Sequence, residues 1–231
     1  MLLHQGFSAV DQVGRVRRSQ GVVLALLGPD GVGKTTAAGL VEKELAPHFS
    51  STIRYHLRPF FGRRFTRGIP PNGPYALPPR APVLSIAKVL LWLADFAVSY
   101  LVCILPRLRR DGLVVFDRAF EDILVDPLRY RYGGPLWFPR IASGFVPTVG
   151  RVVVFLDAPV ETIQARKGEV SPAETARQRA EYLQLARRLK NSHVVDAARP
   201  VADVVAEVVR IVMETTGRKL AGRSPAEIEA R

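Results

Sequence analysis

The sequence predicts a three-layer α/β fold, with a central parallel sheet of about five strands and helices on both faces. Two observations carry this prediction. Short, continuously apolar runs are typical of strands that are buried on both faces of a sheet. Segments with apolar residues at helical spacing separate these runs, and alternation of strand and helix implies right-handed crossovers between parallel strands. The 231 residues suffice for one such domain with a sizeable core.

The elements are predicted in the following order. A strand over 21–27 precedes a helix over 34–46, which Pro47 ends. A second strand over 51–56 is followed by a long loop from Pro59 to Pro82, because its seven prolines fit neither a helix nor a central strand. The later elements are an apolar helix over 83–105 that ends near Pro106, strands over 113–116, 151–156 and 192–195, and helices over 172–189 and 200–216.

Charge and cysteine content restrict the possible partners and compartment of the protein but do not identify its function. A formal charge of +12, from 33 Lys and Arg against 21 Asp and Glu, predicts a surface that attracts anions. A solvated basic surface explains this charge without nucleic acid, so we expect no nucleic-acid partner. The single cysteine, Cys103, excludes an intramolecular disulfide, and residues 1–21 lack the apolar stretch of a secretory signal. We therefore expect a cytoplasmic protein.

The segment from Val83 to Leu105 is apolar over a length that could cross a bilayer, and basic residues follow it. Lys88 and Asp95 lie within it near one helix face, where a bilayer would penalise their charges but an active-site cleft could use them. We expect a buried core helix. A role at a membrane surface stays open as the alternative.

The strongest functional signal is Gly28-Pro-Asp-Gly-Val-Gly-Lys-Thr35, which matches G-x-x-x-x-G-K-[ST] in full between a predicted strand and a predicted helix. Its glycines let successive backbone N–H groups point at phosphate oxygens, and the helix adds its positive dipole end. Lys34 would reach the β- and γ-phosphates, and Thr35 would ligate Mg²⁺. The sequence therefore predicts a P-loop NTPase fold that binds ATP with Mg²⁺. The predicted nucleotide-binding residues of this loop are Gly28, Asp30, Gly31, Val32, Gly33, Lys34, Thr35 and Thr36.

A second candidate metal ligand is Asp117, which follows the apolar run from Leu113 to Phe116. This pattern is typical of a strand that delivers a carboxylate to Mg²⁺ or its water shell, although many buried strands end in a capping Asp. The chain contains no Asn-Lys-x-Asp, the tetrapeptide with which GTP-hydrolysing P-loop proteins read guanine. A GTPase switch is therefore not expected.

Four stretches resemble the thymidylate kinase family of nucleoside-monophosphate kinases, in that family's order. They are Gly28 to Thr36 with an acid at the third position, Arg58-Pro59, Asp117-Arg118, and Leu156-Asp-Ala-Pro159 leading to Arg166. The resemblance runs from about Gly21 to Val212. The stretch Val194 to Ala198, followed by Pro200, is similar to the one that lies against adenine in this family, which makes Ala198 a further nucleotide-binding candidate.

The resemblance implies catalytic roles for Lys34, Asp30, Arg118 and Arg166. Asp30 would face the acceptor and hold or deprotonate a hydroxyl, with a loop-capping role as the alternative. Arg58 and Arg118 would clamp acceptor oxygens bidentately, with surface ion pairs as the alternative. Arg166 would lie in a mobile lid, close over ATP and neutralise charge on the transferred phosphoryl group.

The acceptor side departs from the family. The acceptor helix carries Asp95 and Phe96 where the family usually has an Arg that reads the acceptor. The segment 122–135 resembles a divergent thymidylate-kinase-like group often found with surface-polysaccharide genes. Its Arg129 could line an acceptor pocket, with a structural loop anchored by tyrosine as the alternative. The predicted acceptor-binding residues are Arg58, Asp95, Arg118 and Arg129.

We therefore expect an ATP-dependent kinase that phosphorylates dTMP or a related small phosphate acceptor. An ATP-binding regulatory or membrane-surface assembly protein, and a kinase for a sugar or sugar phosphate, are the alternatives. The expected organisation is an N-terminal extension over 1–20, a kinase domain over 21–216 with a helical lid at about 160–180, and a C-terminal tail over 217–231. A homodimer is an open option.

Overall fold

The computed structural model describes residues 21–57, 75, 77–168 and 170–217. The predicted extension over 1–20, most of the predicted loop between Pro59 and Pro82, Arg58, and the tail beyond Gly217 lie outside the described residues.

Five parallel strands form one sheet in the order β2-β3-β1-β4-β5. The strands are β1 Val22–Leu27, β2 Ser51–Tyr55, β3 Gly112–Asp117, β4 Arg151–Asp157 and β5 Ser192–Asp196. Leu26 pairs with Asp117, and Asp157 pairs with Asp196, so these strands end at the same edge. Ligands bind at the carboxyl edge of such sheets, and the residues that follow β1 and β3 meet there.

Helices cover both faces of the sheet, which confirms the predicted three-layer α/β fold. The helices are α1 Lys34–Leu45, α2 Pro82–Ser99, α3 Leu105–Arg109, α4 Asp122–Val125, α5 Trp137–Ser143, α6 Val160–Arg166, α7 Pro172–Arg188 and α8 Val201–Thr216. A 3₁₀ turn, Ala46–His48, follows α1, and a π-helical stretch, Tyr100–Ile104, joins α2 to α3. Helices α6 and α7 occupy the segment that was predicted to form a lid.

Two apolar cores lie on opposite faces of the sheet, and the side chains of β1 alternate between them. Leu24 and Leu26 pack into the core under α1 and α8. Val23 and Ala25 pack into the core under α2, α3 and α7. Because both faces are covered, the central strands need apolar residues at every position, which explains the continuous apolar runs of the sequence.

The apolar helix does not end near Pro106, as the sequence suggested, but continues to Arg109. Pro106 lies at the start of α3, directly after the π-helical stretch. A proline inside a helix removes one backbone donor and collides with the preceding turn, and a π-helical insertion relieves both effects. The guanidinium of Arg107 donates to the Cys103 carbonyl at 2.7 Å in the same turn.

Helix α2 packs into the core through only one of its faces. The predicted burial therefore holds for that face and not for the opposite one. The buried side chains lie on one stripe, which consists of Ser85, Val89, Trp92, Asp95, Phe96 and Ser99. The opposite stripe is exposed and wholly apolar, and its large members include Leu84 (60% exposed), Leu91 (66%) and Leu101 (64%). A helix that covers one side of a sheet can bury only the stripe that meets the sheet.

Within the described residues, the helical segment Pro82–Arg109 is the one that is long and apolar enough to cross a membrane by length and composition. Of its most apolar 18-residue stretch, 39% is buried inside the protein. That test is also passed by core helices, so on its own it is weak evidence for a membrane span.

A buried ion pair anchors the segment after β3 to β4. The guanidinium of Arg151 donates two hydrogen bonds, each of 2.7 Å, to the two carboxylate oxygens of Glu121. Both side chains are almost fully buried. Burial raises the pKa of Glu121, but the paired guanidinium outweighs this effect and brings the pKa below its usual value.

We predict that Glu121→Gln lowers the free energy of unfolding by about 3 to 5 kcal/mol, because it leaves the Arg151 charge buried without a counter-ion. Urea denaturation at pH 7 measures this loss. The folded pKa of Glu121 lies below its unfolded value, so the pair stabilises the protein above the unfolded pKa and loses this contribution as the pH falls through the folded pKa.

Glu214→Gln is the matched control, since Glu214 pairs with Arg210 on the exposed surface of α8. We expect this variant to stay within about 0.5 kcal/mol of the parent protein. Equal effects of the two substitutions would contradict a special role for the buried pair.

Candidate functional site

The loop between β1 and α1 has the backbone that its glycines predict. Gly28, Gly31 and Gly33 have φ values of 148°, 88° and 104°, in the region that favours glycine. A Cβ at Gly28 would lie 2.4 Å from the Leu156 carbonyl oxygen, whereas a Cβ at Gly33 would meet nothing within 4 Å. The loop thus packs tightly against β4 on one side and is open at Gly33, where α1 begins. This shape suits a phosphate group that the backbone approaches closely.

Lys34 lies inside this loop rather than in solvent. Its ammonium donates to the carbonyl oxygens of Gly28 at 2.5 Å and Pro29 at 2.8 Å. Burial, and next the nearby charge of Arg118, lower the pKa of Lys34 to about 7. Added negative charge beside this ammonium would favour its protonated form. Lys34 is therefore placed to meet phosphate oxygens that enter the loop.

Thr35 and Asp117, the two candidate metal ligands of the sequence, lie close together near the ends of β1 and β3. Burial raises the pKa of Asp117, but His56 and Thr35 outweigh this effect and lower the pKa overall. Asp117 Oδ1 is buried without a hydrogen-bond partner among the described residues, and Oδ2 lies 3.5 Å from His56 Nδ1. One hydroxyl and one free carboxylate oxygen fit Mg²⁺, which takes few protein ligands and fills its shell with water and phosphate oxygens.

Among all the residues that the structure describes, no group of three or more His, Cys, Asp or Glu side chains is placed to hold a metal ion.

Asp30 is the centre of a cluster of three cations. Arg118 donates to its Oδ1 at 2.5 Å, and Lys34 Nζ lies 3.6 Å from the same oxygen. Arg129 forms an ion pair with its Oδ2. Asp30 itself is 7% exposed. A loop-capping role does not account for these three partners, which come from the P-loop helix, the end of β3 and the segment after α4.

Arg118 is held in a strained backbone conformation, with φ of 83°. A non-glycine residue in this region costs on the order of 1 to 3 kcal/mol and persists only where its surroundings enforce it. The next turn is fixed by Asp122, which accepts from the backbone N–H of Ala119 at 2.8 Å and from the Tyr182 hydroxyl at 2.5 Å. In this backbone conformation the Arg118 side chain points toward Asp30, to which it donates a hydrogen bond.

A cleft of about 270 Å³ lies on the other side of the P-loop. Its lining residues are Val32, Gly33, Thr36, Ala37, Leu156, Arg166, Ala197, Arg199, Val201 and Val204. Arg166 reaches back from the end of α6 and donates to the Ala197 carbonyl at 2.9 Å and, at 3.4 Å, to that of Val32. The cleft is mainly apolar with guanidinium groups at its wall, which suits a planar base with a phosphate tail.

Ala198 lies between two residues that line this cleft, Ala197 and Arg199, and its own N–H donates to Asp196 Oδ1 at 2.9 Å. Arg199 was not predicted from the sequence. It forms an ion pair with Glu207 of α8. Nothing in its local sequence distinguishes it from the other surface arginines.

The inward face of α2 packs against the segment that carries Arg129. The indole of Trp92 meets the Tyr130 ring edge to face, with centroids 5.2 Å apart, and Lys88 donates to the Tyr130 carbonyl. The Tyr130 hydroxyl is buried without a hydrogen-bond partner among the described residues. Asp95 is buried on this face of α2, which places it on the same side of the sheet as Arg118. Arg58 lies outside the described residues.

A parallel sheet of this order, with a glycine loop after β1 that encloses a lysine and an acidic residue at the end of β3, defines a P-loop NTPase fold. No family model matches the chain. A thymidylate kinase from Leifsonia xyli subsp. xyli (strain CTCB07) is 30% identical over 217 residues, which cover 81% of this chain and 92% of that protein. The chain therefore belongs to the thymidylate kinase-like family, as its motifs predicted.

We predict that Gly28→Ala weakens Mg-ADP binding on the order of tenfold to hundredfold. The added methyl group would collide with the Leu156 carbonyl and displace the loop's N–H groups from the phosphates. Isothermal titration calorimetry measures the affinity.

Gly39→Ala, in α1, is the control for this substitution, because the nearest group is the flexible end of Arg54 at 3.0 Å. Alanine is the better helix former by about 1 kcal/mol, so this variant should bind normally and melt no lower. Unchanged affinity in Gly28→Ala would contradict the assignment of the loop.

Proposed function

We propose that this protein is an ATP-dependent kinase that transfers the γ-phosphoryl group of Mg-ATP to a nucleoside monophosphate, with dTMP as the first candidate. The observation that carries the proposal is the position of Asp30. It lies in the phosphate-binding loop, yet two of its three cationic partners come from other segments, since Arg118 follows β3 and Arg129 follows α4. A site of this kind has a nucleotide side and an acceptor side that share one polar cluster.

The name of the related Leifsonia protein supports the choice of acceptor, and the cleft beside α8 supports a nucleotide donor. In this proposal Mg-ATP supplies the phosphoryl group and the metal. Lys34 holds the phosphate tail, Thr35 and Asp117 hold the metal, and Arg166 fixes the wall of the base cleft. Asp30 orients the acceptor through the two arginines.

Arg129 would supply the acceptor-side cation that the family usually draws from its acceptor helix. The corresponding residue of α2, Phe96, is buried and packs against Phe116 and Phe120, with ring centroids 5.9 and 6.0 Å away. It cannot pair with an anion. The guanidinium groups of Arg118 and Arg129 can each pair bidentately with phosphate or carboxylate oxygens, so an anionic acceptor is favoured over a neutral one.

We expect ADP release in a coupled assay to depend on the acceptor. The panel contains dTMP, the other nucleoside monophosphates and sugar phosphates, each with Mg-ATP. Lys34→Ala is the blank, and it should lose turnover by on the order of a hundredfold or more, because a charge that stabilises the transferred phosphoryl group is removed. Stimulation by dTMP above all others supports dTMP as the acceptor.

Stimulation by a sugar phosphate alone would move the assignment to a kinase of polysaccharide synthesis. Mg-nucleotide binding without any acceptor-dependent turnover would favour an ATP-binding regulatory or assembly protein. Absence of any Mg-nucleotide affinity in folded protein would overturn the proposal as a whole.

We further propose that the exposed stripe of α2 pairs with a second copy of the chain. Six exposed residues of α2 and the π-helical stretch after it have heptad spacing, namely Leu84, Ala87, Leu91, Ala94, Val98 and Leu101, and the exposed side chains of Val83, Leu90 and Val102 flank them. Spacings of three and four residues form the seam of two packed helices, whereas a membrane surface demands no such register. In an antiparallel pair Leu91 would face an Ala94, so that a large residue meets a small one. The same arrangement keeps the two basic segments 107–110 apart.

We predict that Leu91→Glu yields a monomer, because it places a charge within the apolar seam. Light scattering after gel filtration measures the mass. Val194→Glu is the control, since Val194 is exposed on β5 and lies outside the stripe. A monomeric parent protein that does bind anionic vesicles would instead support the membrane-surface alternative.

A further inference from the structure

Asp126 is a buried carboxylate that the proposed mechanism leaves without a role. It follows α4 directly and is 5% exposed. Its two oxygens accept three hydrogen bonds from three different segments. The backbone N–H of Arg129 donates to Oδ1 at 3.0 Å, Gln178 of α7 donates to Oδ2 at 3.3 Å, and the Tyr75 hydroxyl also donates to Oδ2.

Two of these partners control the same guanidinium. The backbone of Arg129 is fixed by its bond to Asp126, and the guanidinium of Arg129 lies 6.0 Å from the centre of the Tyr75 ring. A cation over an aromatic face is attracted by the ring. Asp126 therefore fixes both the chain from which Arg129 projects and the ring beneath its charge.

Asp126 binds the backbone of Arg129, whereas the guanidinium group of Arg129 forms the ion pair with Asp30. An arginine side chain has several rotatable bonds, so its guanidinium stays at one place only if other groups fix it. Tyr75 and Asp30 both act on this guanidinium, and Asp126 binds Tyr75.

We propose that Asp126 is a positioning residue for the acceptor site: together with Tyr75 it holds Arg129 against Asp30 so that the guanidinium is preorganised for an anionic acceptor. The inference rests on the proposed kinase function for its kinetic consequence. Asp126 does not contact the acceptor in this proposal. Its carboxylate affects the acceptor site indirectly, through its hydrogen bonds to the Arg129 backbone and the Tyr75 hydroxyl.

The kinetic test compares Asp126→Asn and Tyr75→Phe with the parent protein, with dTMP as the probe, or whichever panel compound is turned over. Both variants keep their shape and lose one hydrogen bond, so we expect the KM for the acceptor to rise about tenfold, which corresponds to a hydrogen bond to a charged group. The KM for Mg-ATP and the kcat should stay within about twofold. A rise in acceptor KM alone separates positioning from general loss of structure.

Glu174→Gln is the matched control. Glu174 accepts from Gln178 at 3.1 Å, the same side chain that donates to Asp126, so this variant alters the surroundings of Asp126 and leaves its carboxylate and its bonds to Tyr75 and Arg129 in place. This variant should leave the acceptor KM unchanged. If all three variants lower melting temperature and activity together, Asp126 is structural and the proposal is wrong.

A second readout does not depend on turnover. The protein has six tyrosines, so labelling with 3-fluorotyrosine gives six ¹⁹F resonances, and the one that is missing in Tyr75→Phe belongs to Tyr75. Asp126→Asn and Arg129→Gln should each shift this resonance, whereas Glu174→Gln should not. An unmoved resonance in both variants overturns the proposal. If no compound of the panel is phosphorylated, the proposed function fails, and the ¹⁹F result still decides whether Asp126 holds Tyr75 and Arg129 together.

Discussion

The carboxylate of Asp30 holds three cationic side chains together where the P-loop meets the end of β3. Two like charges 4 Å apart repel by about 4 kcal/mol at an effective dielectric constant near 20, so Lys34, Arg118 and Arg129 would separate without this counter-charge. The carboxylates of Asp117 and Asp122 also act on Lys34 and Arg118, and the two guanidinium groups can pair with a further anion. The cluster is therefore stable enough to be preorganised and still attracts an anion, and both properties are needed for a site that binds phosphate groups on two sides.

Sheet topology is what brings these charges together. Strands β1 and β3 are adjacent and parallel, and Leu26 pairs with Asp117, so the residues after each strand leave the sheet at the same edge. The glycine backbone after β1 and the strained backbone of Arg118 after β3 then turn the two chains toward each other. Local strain is tolerated here because the apolar runs beneath are buried on both faces and hold the strand ends in place.

Helix α2 takes part in two different contacts. Its inward face packs Trp92 against Tyr130, next to Arg129 of the charged cluster, while its outward face presents an uncharged stripe with heptad spacing. Because both faces belong to one rigid helix, a partner on the outer face would also limit how far the inner face can move. Pairing of two chains through α2 would thus help to keep the acceptor side rigid.

Local patterns in the sequence were enough for the sheet, the order of its elements, the phosphate loop and the acid at the end of β3. Each of these depends on neighbouring residues: apolar runs for strands, glycines for the loop, and a carboxylate at a strand end. The exposed face of α2 and the passage of the helix beyond Pro106 were not predicted, since hydropathy does not tell which side of an apolar helix is covered and a proline usually ends a helix.

Only the tertiary structure decided the partners of the charged residues. The ion pair of Arg129 with Asp30, the pairing of Glu121 with Arg151, the hydrogen bond of Tyr75 to Asp126 and the place of Arg199 in the cleft beside the P-loop all join residues from separate segments. The chain has 33 Lys and Arg against 21 Asp and Glu, so composition permits many pairings. Which of them form depends on how the strand ends and helices are placed in space, because electrostatic and hydrogen-bonding interactions act over distance and not along the sequence.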